Sequence, residues 1–400
     1  MSQLDVTTAL AGLRHTSPQE VVVALRHAGG PLARDVVLYL VDFEQEILQP
    51  LVDGSSLEVI PEEPLASTLA GRAYSSGEPV VAPRPDGVRV WVPVFEHSVR
   101  TGVLAVTVDE ASPEVVTHCR SLGMLAGLLV SSAARYTDLI HVRKRGRSMT
   151  LAASMQWDLL PPLTMRANRV VVSGLLEPAY EVAGDGFDHS INGSRVDVAV
   201  FDGMGHGITS TLLATLAIGT YRHQRRDGRD LDTMHDTIDR TVSLQFADAF
   251  VTGVLARLDT TTGILELTNA GHPAPLLLRE RRVVGEIESE RCTPFGVGSH
   301  CEHIARVPLE PGDTVVFYTD GMVEGRTRDG KEFGVTRLRD LLEREASAGR
   351  QAEEMLRRLV RSVLDHQDGA LRDDATVVLL HWDGPRPDDV IPVQVSAGED

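Results

Sequence analysis

The sequence of 400 residues has little cysteine and no long apolar run. Its three cysteines, Cys119, Cys292 and Cys301, are too few for a disulfide framework, and their spacing matches no zinc motif. The longest apolar patch, residues 124–130, falls well short of the roughly 20 residues that a membrane helix needs. The opening MSQLDVTTALAGLRH lacks the basic region and apolar core of a signal peptide. We therefore expect a soluble, cytoplasmic protein with no membrane segment.

Positive charge is also scarce, with 39 Lys and Arg against 57 Asp and Glu, a net charge of −18. A protein of this charge repels the phosphate backbone, so nonspecific binding to nucleic acid is excluded as a main function. The basic run HVRKRGR at residues 141–147 is interpreted as a solvated helix face. No nucleic-acid partner is expected.

The chain has more residues than one hydrophobic core usually accommodates, so at least two domains are expected. A hydrophobic content of 42% supports burial throughout. The patterns divide the chain into four segments. They are a sensor-like domain at residues 1–135, a helical connector at 136–160, a catalytic domain at 161–384 and a polar tail at 385–400.

The first segment predicts helices at 18–28 and 64–75 and strands at 35–41, 46–52, 88–95 and 102–108. This order resembles a GAF sensor domain, a small α/β fold with a ligand pocket between sheet and helices. The resemblance implies an unidentified small-molecule or protein signal. No residue can be assigned to binding that signal.

Between Pro113 and Pro161 there is no proline, and apolar residues recur at helical spacing. A helix of up to about 45 residues is compatible with this pattern. The heptad register becomes poor after Arg143, so a long coiled coil is not established. Two interpretations stay open. The segment is the last sensor helix followed by a linker, or it is also the seam of a homodimer that transmits a signal.

Adjacent strand pairs with inserted helix pairs are predicted in the third segment. The strands are at 169–176, 195–201, 250–258, 264–269, 314–318 and 376–381, and the helices at 208–225, 231–244, 335–345 and 353–366. This order indicates an α+β fold and not a βαβ repeat. An α-β-β-α sandwich, with two antiparallel sheets flanked by helices, satisfies it.

Four motifs place an aspartate at or near a strand end, three of them beside glycine. They are EVAGDGFD, VAVFDGMGHG, VVFYTDGMVE and RDDATVVL, which contain Asp185, Asp202, Asp320 and Asp373. Strand ends are rigid, and glycine lets the backbone approach a metal or phosphate closely. Converging carboxylates need counter-charge, and hard divalent cations such as Mn²⁺ or Mg²⁺ supply it with oxygen ligands. Zinc fits less well, because no histidine or cysteine has zinc-like spacing to these aspartates.

The motifs AGDGFD, DGMGHG, TNAGHP, FYTDGMVE and DDATVV, in this order over residues 160–382, resemble the type-2C protein phosphatases of the PPM superfamily. They are most similar to the bacterial branch that acts in sporulation and general stress response. The resemblance implies hydrolysis of phosphoserine or phosphothreonine by a metal-bridging hydroxide. It also implies a phosphorylated anti-sigma-factor antagonist as the substrate.

By the same resemblance, two metal ions bind at one end of the sandwich. Asp202 would bridge both ions, and the Gly203 carbonyl would be a further ligand. Asp320 and Asp373 would hold one ion from the opposite sheet. Asp185 would complete the site directly or through water.

Other polar residues in the motifs are interpreted structurally. His206 is expected to pack or to hydrogen-bond at a helix start, and Asn269 and His272 to shape a loop near the site. Asp188 is expected to be a turn residue or to support the metal ligands. Asp374 either supports Asp373 or opens the last strand. No counterpart is found for the N-terminal arginine with which animal relatives grip phosphate.

Three other functions compete with a phosphatase. A non-catalytic phosphoprotein-binding protein is disfavoured, because none of the four aspartates is missing. A sensor histidine kinase is disfavoured, because the last third has no asparagine- and glycine-rich ATP site. A metal-dependent phosphodiesterase stays open as the other enzymatic reading.

Overall fold

The structure is a computed structural model that describes residues 20–52, 60–167, 169–177, 184–298, 301, 304–367, 371 and 373–385. The opening residues and nearly all of the predicted polar tail lie outside these ranges. The chain divides into two compact units, Met1–Ser148 and Met149–Asp400.

The N-terminal unit is built on a six-stranded antiparallel sheet with the order β3-β2-β1-β6-β5-β4. Its strands are β1 (Asp35–Val41), β2 (Ile47–Leu51), β3 (Glu63–Pro64), β4 (Val80–Arg84), β5 (Gly87–Glu96) and β6 (Val99–Val108). The two long predicted strand pairs are present. The short strands β3 and β4 extend the two edges of the sheet.

Helices cover both faces of this sheet. They are α1 (Val21–Gly29), α2 (Leu69–Ser76), α3 (Pro113–Ala133) and α4 (Leu139–Lys144). On one face, Leu25 of α1 and Leu122 of α3 pack in one buried cluster with Leu38. On the other face, Tyr74 of α2 packs with Trp91. Burial of apolar side chains on both faces makes the unit a three-layer α/β domain.

Helix α3 is long and apolar enough to cross a membrane by length and composition, with a mean hydropathy of 1.2. Nine of its residues are buried, and its apolar side packs against the sheet and α1. A core helix of this kind passes the same test, so α3 is weak evidence for a membrane span.

The continuous helix of up to about 45 residues that the spacing between Pro113 and Pro161 allows does not form. The segment forms three helices, α3, α4 and α5 (Leu151–Leu159). At the end of α4 the chain is hydrogen-bonded to the N-terminal unit, where the Phe43 amide donates to the Lys144 carbonyl (3.1 Å). A new helix then starts at Thr150, whose Oγ1 accepts a hydrogen bond from the Ala153 amide (3.2 Å). Tertiary contacts and a new N-cap therefore override the continuous helical spacing.

The C-terminal unit contains two six-stranded sheets. The first sheet has the order β15-β12-β11-β10-β9, with β16 paired to β12, and the second has the order β14-β13-β17-β18-β8-β7. The first comprises β9 (Asp185–Asn192), β10 (Arg195–Gly203), β11 (Val251–Asp259), β12 (Ile264–Ala270), β15 (Arg291–Cys292) and β16 (Ala305–Pro308). The second comprises β7 (Thr164–Ala167), β8 (Val170–Glu177), β13 (Leu276–Arg279), β14 (Arg282–Glu286), β17 (Thr314–Tyr318) and β18 (Ala375–Trp382).

Two helix pairs cover the outer faces of these sheets. They are α6 (Ile208–Arg226) with α7 (Leu231–Gln245), and α9 (Val335–Ser347) with α10 (Ala352–His366). The short α8 (Gly321–Glu324) follows β17. One buried cluster lies between the sheets, a second joins the first sheet to α6 and α7, and a third joins the second sheet to α9 and α10. The predicted α+β class and the α-β-β-α sandwich are therefore confirmed.

Strand alternation decides which side chains lie between the sheets. In β10, Val196, Val198 and Val200 belong to the inter-sheet core, whereas Ala199 and Phe201 pack under the helices. Because the side-chain period of a strand is two, the next inter-sheet position in β10 is residue 202. The apolar core ends there and polar residues begin.

Candidate metal centre

The four predicted aspartates lie at one end of the sandwich, on strands from both sheets. Asp185 opens β9 and is directly opposite Asp202 in the β9–β10 ladder. Asp320 follows β17, and Asp373 comes just before β18 in the other sheet. The structure therefore brings together all four carboxylates that are far apart in sequence.

Hydrogen bonds join the two sheets at this end. The Thr319 hydroxyl donates to Oδ2 of Asp185 (2.7 Å), and the Asp185 amide donates to Oδ2 of Asp374 (3.1 Å). The Thr376 amide donates to Oγ1 of Thr319 (2.9 Å). Asp374 is buried and bonded across the sheets, which favours the supporting role over a simple strand-opening role.

Two of the motif glycines allow close backbone approach at the site. A Cβ atom on Gly321 would overlap the carbonyl oxygen of Asp374, so any larger residue would push α8 away from β18. A Cβ atom on Gly203 would lie 2.7 Å from the Ser210 carbonyl oxygen. Glycine is therefore required at both positions to hold the aspartate loops close together.

Burial and like charge strongly disfavour ionisation of these acids. Burial, followed by the charges of Asp202 and Asp374, raises the pKa of Asp185 well above its usual value. Burial, followed by the charges of Asp320, Asp373 and Asp374, raises the pKa of Asp202 to about 7. Burial also raises the pKa of Asp373, and it raises that of Asp374 to about 6. The aspartates therefore need added positive charge in order to be ionised together.

The donor set fits hard divalent cations. All of the converging side chains are carboxylates, which suit Mg²⁺ or Mn²⁺. Oδ1 of Asp374 is buried and has no hydrogen-bond partner among the described residues. A buried carboxylate oxygen without a partner is expensive unless a cation or water satisfies it. The site therefore has both the charge and the oxygen ligands for metal ions.

A cavity of about 210 Å³ adjoins the aspartates. Asp320, Asp373, Glu324 and Arg326 are among its lining residues. Arg326 is half exposed and forms an ion pair with Glu332. It places a cation beside the carboxylates, and no motif in the sequence indicated it.

A buried polar chain supports Asp202 from behind. Thr252 is opposite Asp202 in the β10–β11 ladder, and its side chain hydrogen-bonds to Asp202. Oγ1 of Thr252 lies 2.9 Å from Nδ1 of His272. Asn269 exchanges two hydrogen bonds with the His272 backbone, at 2.8 and 3.0 Å. Burial lowers the pKa of His272 to about 3, so the imidazole is neutral. Its role is to hold the loop in place through these hydrogen bonds.

Other motif residues differ from their interpretation. His206 is exposed and lies near Asp373, so it is not packed as expected. Asp188 lies within β9 and forms buried ion pairs with Arg222 (2.8 Å) and Arg225 (2.5 Å) of α6. It therefore fastens α6 to the sheet and is not a turn residue.

Gln156 of α5 is a supporting residue without any sequence signal. Its Nε2 donates to the Asp185 carbonyl (2.8 Å) and lies 3.4 Å from Oδ2 of Asp374. Helix α5 thereby contacts the site from outside the aspartate motifs.

Residues 192–383 match the family model of Stage II sporulation protein E (SpoIIE). The C-terminal unit contains a SpoIIE-family phosphatase domain. The matched residues include Asp202, Asp320 and Asp373, whereas Asp185 lies just before them. The predicted enzyme class, a serine/threonine protein phosphatase, is confirmed.

The chain is also similar to individual proteins. Phosphoserine phosphatase RsbU of Bacillus subtilis is 24% identical over 277 residues, which are 67% of this chain and 80% of RsbU. Protein IcfG of Synechocystis is 23% identical over 258 residues, which are 57% of this chain but only 40% of IcfG. The solved SiaA-PP2C domain of Pseudomonas aeruginosa is 22% identical and has a TM-score of 0.49, covering 58% of this chain and 94% of that domain.

Proposed function

We propose that this protein hydrolyses phosphoserine or phosphothreonine on a regulatory protein, using two Mn²⁺ or Mg²⁺ ions. The observation that carries the proposal is the convergence of Asp185, Asp202, Asp320 and Asp373 from both sheets. The raised pKa values of Asp185, Asp202 and Asp373 and the buried, unpartnered oxygen of Asp374 support a cationic occupant. Phosphatases of this family are generally metal-dependent.

The proposed ligand roles follow the positions of the side chains. Asp202 would be the bridging ligand, as the resemblance to type-2C phosphatases implies, and the charges of Asp320, Asp373 and Asp374 from the opposite sheet support this role, because after burial they raise its pKa. The Gly203 carbonyl is the additional ligand, Asp320 and Asp373 bind from the second sheet, and Asp185 completes the site directly or through water. Two divalent cations held by these residues would activate a water molecule for attack on phosphorus and would offset charge on the phosphoryl oxygens. Thr319, Thr252 and Gln156 hold the aspartates in place.

The proposed substrate is a phosphorylated anti-sigma-factor antagonist. The support is similarity to RsbU, a phosphoserine phosphatase, and to SpoIIE. Arg326 lines the cavity beside Asp320 and Asp373, where a cation would attract the substrate phosphate. This arrangement compensates for the absence of an identified N-terminal arginine.

The N-terminal unit is proposed to be a GAF-like sensor for a small-molecule or protein signal. A six-stranded antiparallel sheet with helices on both faces supports this proposal. We also propose that residues 136–160 connect the sensor to the phosphatase, that the chain is a homodimer, and that it acts in the cytoplasm.

The test is phosphate release by the full-length protein from three substrates, each with Mn²⁺, Mg²⁺ or excess EDTA. The substrates are a serine-phosphorylated anti-sigma-factor antagonist, phosphocasein and a nucleotide diester. We expect release from a phosphoprotein only with a divalent cation, and none from the diester. Faster hydrolysis of the diester would instead establish a phosphodiesterase. Undiminished release in EDTA would contradict a metal mechanism.

A further inference from the structure

A second cluster of potential metal ligands lies in the C-terminal unit, at the edge of the first sheet. His235 of α7, Cys292 of β15 and Cys301 place their ligand atoms within 4.8 Å of one another. His235 and Cys301 are buried, and Cys292 is half-buried. None of the three is among the residues that line the cavity beside the aspartates.

In the structure Cys292 and Cys301 form a disulfide, with their Cα atoms 5.6 Å apart. The spacing of the cysteines in the sequence indicated neither this pairing nor the nearby histidine. Disulfides are rare in the cytoplasm, where this protein is proposed to act, and close cysteine pairs there are more often metal sites or redox sites. A chemical role in addition to cross-linking the chain is therefore expected for the two cysteines and the histidine.

We propose that Cys292, Cys301 and His235 form a redox-sensitive site that binds a thiophilic divalent cation, with Zn²⁺ as its best fit, when the cysteines are reduced. Two thiolates and one imidazole are a known donor set for Zn²⁺ that leaves a fourth position for water. Hard ions such as Mg²⁺ and Mn²⁺ prefer oxygen, so they do not compete well for these donors. The two metal centres of the unit thus select different ions.

The surrounding contacts hold the three donors in place. Oδ1 of Asp239, one turn after His235 on α7, accepts hydrogen bonds from the Gly296 amide (2.8 Å) and the Gly298 amide (3.1 Å). Between the cysteines, the Phe295 ring packs on the His235 ring with centroids 4.8 Å apart. The amide and carbonyl of Phe295 also pair with Val251 of β11. The segment after Cys292 is therefore fixed against α7, as a preformed site requires.

Cys301 is held from the sheet side. Its Sγ lies 3.3 Å from Oγ1 of Thr268 on β12. A hydroxyl at this distance can donate a hydrogen bond to a thiolate, which favours the ionised, metal-binding form of the sulfur. Cys292 is likewise fixed, because β15 pairs with the end of β12.

The two states of the site are linked by a balanced exchange. A dithiol reductant transfers two electrons and two protons, so the protein S–S bond breaks, two cysteine thiols form and the reductant becomes a disulfide. Zn²⁺ binding then releases the two thiol protons, because the ligands are thiolates. Disulfide formation and metal binding therefore exclude each other.

The test measures Zn²⁺ bound per chain by competition with a chromophoric chelator, in excess Mg²⁺ to occupy the carboxylates. Reduced wild-type protein is expected to bind one Zn²⁺ that the oxidised protein and the double variant Cys292→Ser/Cys301→Ser do not bind. His235→Asn should bind it at least about tenfold more weakly. The matched control is Cys119→Ser, which changes the free, buried cysteine of the N-terminal unit and should keep the ion.

A second readout does not depend on how the variants fold. Reduced wild-type protein loaded with Co²⁺ should show thiolate-to-cobalt charge-transfer absorption, which is lost when the disulfide forms. The proposal is overturned if reduced wild-type protein shows no such band. Equal Zn²⁺ binding by the wild type and the double cysteine variant would also overturn it.

Discussion

Asp202→Asn is expected to lower kcat for phosphoprotein hydrolysis by at least about 10³-fold, or roughly 4 kcal/mol of transition-state stabilisation. The reason is that Asp202 is the proposed bridging ligand between the two ions, and a neutral amide cannot supply its charge. Initial rates of phosphate release at saturating substrate and Mn²⁺ measure the effect. A loss of less than about tenfold would remove Asp202 from the proposed mechanism.

The same variant should not destabilise the metal-free protein. The pKa of Asp202 is raised to about 7, so above that pH its ionisation costs the folded state free energy relative to the unfolded state. Asparagine removes this cost, and the melting temperature in EDTA at pH 8 is expected to be unchanged or higher. An unfolded variant would make the rate measurement uninformative, and this melting experiment detects it.

Asp197→Asn is the matched control on the same strand. Asp197 is fully buried and accepts a hydrogen bond from Nε of Arg257 (2.8 Å), far from the cavity end of β10. Its replacement is expected to cost about 1–3 kcal/mol of stability. The kcat of the folded variant should stay within about twofold of wild type. Comparison of the two variants thereby distinguishes the proposed metal ligand Asp202 from the structural carboxylate Asp197.

Asp188→Ala is expected to lower the free energy of unfolding of the C-terminal unit by about 3–5 kcal/mol. Asp188 is 2% exposed and pairs with both Arg222 and Arg225, of which Arg225 is itself buried. Removal of the carboxylate leaves two guanidinium groups beneath α6 without this partner. Urea denaturation followed by tryptophan fluorescence measures the loss, since Trp382 is buried in the sandwich core.

Glu266→Ala provides the comparison for that experiment. Glu266 pairs with Arg306, which is 75% exposed, on the same sheet (2.9 Å). Exposed ion pairs contribute little, so this change should cost less than about 1 kcal/mol. Equal effects of the two substitutions would mean that Asp188 does not fasten α6 as the contacts suggest.

The sequence predicted the sandwich and the four aspartates because both rest on local patterns. In each motif the alternation of apolar and other residues along the strand ends at an acidic or small residue. This residue marks the position at which the apolar core ends. Alternation also explains Asp374, which occupies the inter-sheet position two residues before Thr376 and is therefore buried. Its neighbour Asp373 is exposed to the cavity. The sequence placed both residues next to the last strand but left the role of Asp374 open.

Contacts between segments that are distant in the sequence could not be predicted from the sequence. Gln156 is in a helix with no aspartate motif, and only the packed structure places its amide on Asp185 and Asp374. The Cys292–Cys301 pair lies near His235 because α7 packs on the first sheet, a contact across more than fifty residues. The end of α4 is similarly marked by a contact with a distant residue, because the Lys144 carbonyl accepts a hydrogen bond from the Phe43 amide. Local spacing carries no information about these contacts.

The number of Mn²⁺ ions bound per chain tests the central claim most directly. Equilibrium dialysis followed by metal analysis, on wild-type protein and Asp202→Asn at the same free Mn²⁺, measures it. The predicted result is two ions per wild-type chain and fewer than one per variant chain. Wild-type protein that binds no Mn²⁺, or a variant that still binds two ions, would contradict the four-aspartate metal centre.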